Sequence, residues 1–265
     1  MVNRPGRMLL CGTAMAGGEE RGRPLVSVVI PLLDEEAVLP ELHGRLAALA
    51  ARARGMPEGG FDLEILFVDD GSTDGSLGVL RGIAEGDPSV RVISLTRNFG
   101  QEAACAAGSD RAAGDAVVVM DADLQDPPEV VEALVRAWLG GCEVVHARRR
   151  SRRGEPPLKR ALAWVFYRAL RAGSDAAVVA DSGGFRLLSR KIVDGIGRAR
   201  DRGRFLRGLA AWAGGRQEIV EFDRDPRRAG RTKYGLGRQA GLAIDAITSF
   251  SALPVRFVGL SGCAL

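Results

Sequence analysis

The sequence predicts an α/β fold, a Rossmann-like and mostly parallel sheet with helices on both faces. Three observations carry that expectation. Runs of β-branched and apolar residues recur at Leu25 to Ile30, Leu63 to Val68, Val90 to Leu95 and Ala116 to Met120, each followed by polar punctuation and then a helical pattern. The runs are near-continuous instead of alternating, which marks strands buried on both faces. The chain has 265 residues, 46% apolar and 26% charged, enough to bury the core of one large α/β domain or two small ones. Collagen, coiled coil and bulk disorder are excluded by that composition without a short repeat, while 35 Gly and 12 Pro promise many turns.

Taken in order, residues 1–24 hold Arg4, Arg7 and a short apolar run from Met8 to Cys11, too short for a secretory signal, and are expected to form a disordered tail. The first strand leads to a helix whose stripe is Leu39, Leu42, Leu46 and Leu49. Pro127 and Pro128 after Asp126 open another helix, with Val131, Leu134, Val135 and Trp138 on its apolar side. Leu236, Ala240, Ala243, Ile247 and Phe250 share one face of a later helix. That stripe is either core or, with a basic segment before it and Phe257 to Leu265 after it, an interfacial helix leading into lipid. No stretch reaches the ~20 apolar residues that cross a bilayer.

Ligands of such sheets bind beyond the carboxyl ends of the strands. Three of those ends are acidic: Asp34, Glu35 and Glu36 after the first strand, Asp69, Asp70 and Asp74 after the second, and Asp121, Asp123 and Asp126 after the fourth. Converging carboxylates repel one another unless cations or hydrogen-bond donors lie between them. Oxygen-only donors suit Mg2+ or Mn2+, which keep waters and bind substrate phosphates. Each acidic piece alone is also a common loop tripeptide or turn. No G-x-G-x-x-G follows the first strand and no P-loop is present, so a phosphate-bearing ligand would be held by metal and basic side chains.

Cys11, Cys105, Cys142 and Cys263 lie far apart with no C-x-x-C pair, and His43 and His146 are the two imidazoles, which argues against a disulfide framework or structural zinc and for a reducing compartment. The charge excess, 37 basic against 33 acidic residues, is too small to imply a nucleic-acid partner. Basic residues concentrate at Arg148, Arg149, Arg150, Arg152, Arg153, Lys159 and Arg160, and again at Arg202, Arg204, Arg207, Arg224, Arg227, Arg228, Arg231 and Lys233. Such runs are solvated faces or anion sites; with 5% aromatics to stack bases, phosphates of a smaller or lipidic ligand fit better than RNA.

In chain order these pieces resemble family 2 glycosyltransferases of the polyprenyl-phosphate group, the dolichol-phosphate mannose synthases and bactoprenol glucosyltransferases. The resemblance covers Val26 to about Arg256 and includes Val-Val-Ile-Pro-x-x-x-Glu-Glu, Phe-Val-Asp-Asp-Gly-Ser-Thr-Asp, Arg97 to Gln101, Met-Asp-Ala-Asp-Leu-Gln-Asp-Pro-Pro-Glu, Asp181-Ser-Gly-Gly-Phe-Arg-Leu, Arg204 to Leu209, Gly230 to Tyr234 and Ser249 to Arg256.

The resemblance implies a GT-A catalytic domain over residues 25–235, with a nucleotide-binding half to about 147 and an acceptor half after it. Residues 236–265 would be juxtamembrane amphipathic helices and the start of a truncated membrane span. Pro31, Glu35, Asp69, Asp70 and Asp121 would bind the donor. Asp121, Asp123 and Gln125 would form the metal site for Mg2+ or Mn2+. Arg148, Arg160, Arg231 and Lys233 would hold the acceptor phosphate, and Asp181 matches the catalytic aspartate, with Asp123 also assigned to catalysis. The implied reaction is inverting transfer of one hexose from a nucleotide sugar, of UDP-glucose or GDP-mannose type, to a polyprenyl phosphate at the cytoplasmic face of the membrane, with no nucleic acid involved. Oligomeric state stays open, a homo-oligomer included. Leu32, Leu33 and Asp34 replace the family's aliphatic, Tyr and Asn, and Gly184 replaces an acidic residue. Two other readings remain: a catalytically inactive sugar-nucleotide-binding scaffold, and a transferase with a non-lipid acceptor.

Overall fold

The computed structural model describes residues 22–56, 59–150, 182–198 and 215–223. Among these, β1 (Leu25–Leu32), β2 (Asp62–Asp69), β3 (Val90–Ser94), β4 (Ala116–Val119), β5 (Val144–Arg149), β6 (Ser182–Ser189) and β7 (Gln217–Phe222) form one seven-stranded sheet in the order β3-β2-β1-β4-β6-β5-β7. The helices are α1 (Leu39–Arg54), α2 (Ser76–Gly86), α3 (Gln101–Arg111), α4 (Val130–Leu139) and α5 (Arg190–Arg198). The expected strands fall within two residues of the observed limits. α4 begins just after its two prolines, whose carbonyls accept the first helical N–H groups, Val130 to Pro127 at 3.1 Å and Val131 to Pro128 at 3.0 Å.

β1 is parallel to β2 and β4, β2 to β3, and β5 to β7; β6 runs antiparallel between β4 and β5. β1 is central and buried on both sides, so Val28 and Ile30 enter one core with Leu39, Leu42, Leu46 and Leu49 of α1 and Leu134 of α4. Val29 enters the other with Val68, Ala104 of α3 and Ile192 of α5. Period-2 alternation of a near-continuous apolar strand is what lets one run serve two layers. On the second face α3 lies close against β1 and β2: a Cβ on Gly108 would stand 2.4 Å from Val29 Cγ1. Glycine permits that approach.

Glu64 of β2 is a buried carboxylate with a structural purpose. It accepts the Ser27 hydroxyl at 2.6 Å, the Ala113 N–H at 3.0 Å and the Arg91 guanidinium at 2.7 Å. Burial raises its affinity for a proton, and these donors together outweigh that and hold it below the usual carboxylate range.

Candidate active site

The carboxyl ends of β1, β2 and β3 are aligned, Leu32 beside Asp69 and Asp69 beside Ser94. Asp69 and Asp70 are 2% and 4% exposed, and the fold satisfies both. Asp69 Oδ1 accepts the Ser72 N–H at 3.0 Å and its Oδ2 the Ser94 hydroxyl at 3.2 Å. Asp70 accepts the N–H groups of Phe99 on Oδ1 at 2.8 Å and Gly100 on Oδ2 at 2.9 Å. Gly71 follows with φ 74°, and the Arg97 backbone presses on it so closely that a Cβ would lie 2.6 Å from the Arg97 carbonyl carbon. A carboxylate has about four lone-pair sites, so both aspartates keep acceptor capacity for a ligand while holding loops.

The turn after β1 is stitched to the turn after β2. Asp34 has φ 49°, the left-handed region that Asn and Asp tolerate best among residues with a Cβ. Its Oδ1 accepts the Thr73 N–H at 2.7 Å, and its N–H donates to Ser72 Oγ at 2.8 Å. The Glu35 N–H donates to Ser76 Oγ at 2.9 Å, and the Gly75 N–H donates to Glu36 Oε2 at 3.0 Å. Asp at position 34 therefore keeps the geometry an Asn would give. Pro31 is buried in β1 beside Val68, and Glu35 is half-buried in the turn.

After β4 the chain turns sharply from Asp121 to Asp126. Leu124 has φ 58° and is fully buried, which pins the turn to the core. Asp123 Oδ1 accepts the Gln125 N–H at 3.2 Å, and Asp121 Oδ1 accepts the Gln101 Nε2–H at 2.6 Å from the start of α3. Asp126, with no exposed surface, faces Arg149 of β5 at 3.5 Å. No group of three His, Cys, Asp or Glu side chains able to hold a metal occurs among the described residues. Two carboxylates with Gln125 beside them still fit Mg2+ or Mn2+, because these ions draw their remaining ligands from water and a diphosphate.

The basic run at the end of β5 is tied to acids. Arg148 pairs with Glu221 of β7 and its guanidinium holds that carboxyl below the ordinary range; Arg150 faces Asp223 at 3.4 Å. Arg160, Asp181, Arg231 and Lys233 lie outside the described residues, as do the second basic cluster and the helix expected from Leu236 to Phe250. β6 begins with Ser182 opposite Arg148, at the same edge of the sheet. Two features of the site go beyond the residues expected from the sequence: the Gln101 amide on Asp121 and the pair of Arg149 with Asp126. Gln101 as the first helical residue after a glycine is the signal that marks it.

The mixed α/β sheet has the GT-A fold of the glycosyltransferases it resembles in structure. The chain belongs to glycosyl transferase family 2, whose model matches residues 27–197. It is 42% identical over 236 residues to the uncharacterized glycosyltransferase YkcC of Bacillus subtilis (strain 168), covering 89% of this chain and 71% of that protein. It is 37% identical over 238 residues to the prophage bactoprenol glucosyl transferase homolog of Escherichia coli (strain K12), covering 89% of this chain and 76% of that one. Among solved structures it is similar to glucosyl-3-phosphoglycerate synthase from Mycobacterium tuberculosis in complex with Mn2+, UDP and glucosyl-3-phosphoglycerate, with TM-score 0.52 and 24% identity over 84% of this chain and 77% of that one.

Proposed function

We propose that this family 2 glycosyltransferase transfers one hexose from a nucleotide sugar to a polyprenyl phosphate at the cytoplasmic face of a membrane, with inversion and with Mg2+ or Mn2+. The observation that carries the acceptor is the 37% identity, over 238 residues, to a protein named for bactoprenol. Glycosyl transfer to a phosphate breaks the anomeric bond to a nucleoside diphosphate while a phosphate oxygen forms the new one, and direct displacement inverts that carbon. A cation held by Asp121, Asp123 and Gln125 would supply Lewis-acid stabilisation of the departing diphosphate.

The rest of the work falls to the chain itself. Asp69 and Asp70, already oriented by backbone and hydroxyl donors, would receive the nucleoside, with Pro31 and Glu35 beside them. A monoalkyl phosphate has a second pKa of about 6 and is largely dianionic at neutral pH, so the nucleophile needs positioning more than deprotonation. Asp181 then positions the acceptor, and Arg148, Arg160, Arg231 and Lys233 neutralise it. Arg148 and Glu221 are 40% and 44% exposed, and water screens such a surface pair, so an incoming dianion can take Arg148 from Glu221 at little cost. Residues 236–265 would lie at the membrane surface.

The test is nucleoside diphosphate release by the full chain from UDP-glucose or GDP-mannose, with and without polyprenyl phosphate and Mn2+. Release requiring both supports the reading; release without a lipid acceptor, or none under any condition, overturns it. Asp123→Ala should abolish turnover and make nucleotide affinity, measured by calorimetry, the same in EDTA as in Mn2+.

A further inference from the structure

We propose that Gln101 is a positioning residue for the metal-binding turn, and that the segment from Arg97 to Gln101 couples the nucleoside end of the cleft to its diphosphate end. The proposal rests on the metal-assisted reading above and adds to it a residue that reading does not use. Gln101 opens α3 and is half-buried, and its Nε2–H donates to Asp121 Oδ1 at 2.6 Å. That is at the short end for an N–H···O bond.

The same segment is anchored on its other side. Phe99 and Gly100 give their N–H groups to the two oxygens of Asp70, at 2.8 Å and 2.9 Å, and the Arg97 backbone lies against Gly71. Its outer surface is closed by the Arg97 guanidinium, stacked 4.4 Å from the centre of the Phe99 ring. A single short strap thus touches Asp70, the carboxylate just after β2, and Asp121, the first carboxylate after β4, with β1 between those strands in the sheet.

The choice of an amide matters. A donor fixed on one oxygen restrains rotation of the Asp121 carboxylate, so its remaining lone pairs point in one direction. A neutral donor does so without cancelling the negative charge that attracts a cation. Through the strap, a shift of Asp70 on nucleoside binding moves the donor that orients Asp121.

The experiment measures Mn2+ uptake by electron paramagnetic resonance of the free ion, with the full chain and saturating UDP, for the wild type, Gln101→Met and Gln101→Ala. Methionine keeps the length and helix preference of glutamine and removes the donor. Both variants should bind Mn2+ about 10-fold more weakly or worse, the usual consequence of losing a hydrogen bond to a ligating carboxylate. Their affinity for UDP in EDTA should match the wild type, which also shows that they fold. Wild-type Mn2+ affinity in Gln101→Met would overturn the positioning role and leave the metal reading standing. Equal losses of Mn2+ and metal-free UDP binding would mean a general structural role, and would also overturn it. No Mn2+ uptake by the wild type with either UDP or GDP would overturn the metal reading and this proposal together.

Discussion

Leu124 stands in a left-handed conformation, φ 58°, that costs a residue with a Cβ roughly 1–2 kcal/mol. Its side chain is fully buried, and burying a leucine contributes about 1.5–3 kcal/mol, so the core offsets the backbone. The turn bearing Asp121, Asp123 and Gln125 is therefore held by an apolar anchor in its middle. Leu124→Ala should destabilise the protein by about 2–5 kcal/mol in urea unfolding and weaken Mn2+-dependent nucleotide binding more than metal-free binding. Unchanged stability would show that the anchor is not Leu124. At this scale the sequence exposed the acids but not their settings. Asp69, Asp70, Asp121 and Asp123 stand out because carboxylates at strand ends are chemically conspicuous. The φ of Asp34 and Leu124 and the bond from Gln101 to Asp121 arise from packing between distant segments, which no local pattern encodes.

The elements were more legible, for a physical reason: strands buried on both faces and helices with a leucine stripe impose their periodicity directly. Direction is another matter. An apolar run looks the same whether its neighbours run with it or against it, so the antiparallel insertion of β6 between β4 and β5 was not readable from Ser182 to Ser189. Nor was the tight seating of α3 on β1. Gly108→Ala would bring a methyl group to 2.4 Å from Val29 Cγ1 and 2.9 Å from Val68 Cγ2. Overpacking of this kind costs typically about 1–3 kcal/mol, and the loss should appear as a lower midpoint in thermal unfolding. A variant as stable as the wild type would mean that α3 shifts without penalty, and Gln101 at its first turn would then be poorly anchored.

For the molecule as a whole, acid should weaken the fold in two stages. His146 is buried, which lowers its pKa against the opposing hydrogen bond to Gln217, and the nearby Arg186 cation adds to the lowering. The folded state thus prefers the neutral ring, while the unfolded chain takes up a proton near pH 6.5, so stability falls as pH drops from about 6.5 toward the folded value. Glu64 and Asp87 follow. Burial raises each, but hydrogen bonds to Ser27 and Arg91, or to Ser89 and His43, bring both below their ordinary values. Their contribution is present above about pH 4 and disappears as pH falls through the folded values. Urea midpoints against pH should show both stages, and His146→Gln, which can still donate to Gln217, should flatten the first. An unaltered slope between pH 5 and 6.5 in that variant would count against the assignment.

The proposed function also predicts attachment to a membrane surface. With Arg224, Arg227, Arg228, Arg231 and Lys233 preceding an apolar stripe, and each basic residue near an anionic leaflet contributing about 1 kcal/mol, the chain should sediment with anionic liposomes at low salt and leave them at high salt. Deleting residues 236–265 should abolish that sedimentation. Full binding after the deletion would move the contact elsewhere.

The position of β6 also bears on how the protein is born. A ribosome delivers β1 to β5 first, and domains generally fold as units once their elements are available. Until Ser182–Ser189 emerges, the edges of β4 and β5 that it will join have no partner, because the strand between them has not been made. Unpaired edges of apolar strands invite pairing with other chains. The nascent first half therefore carries an open slot of its own making, and the interval before β6 fills it is when this chain most needs a chaperone.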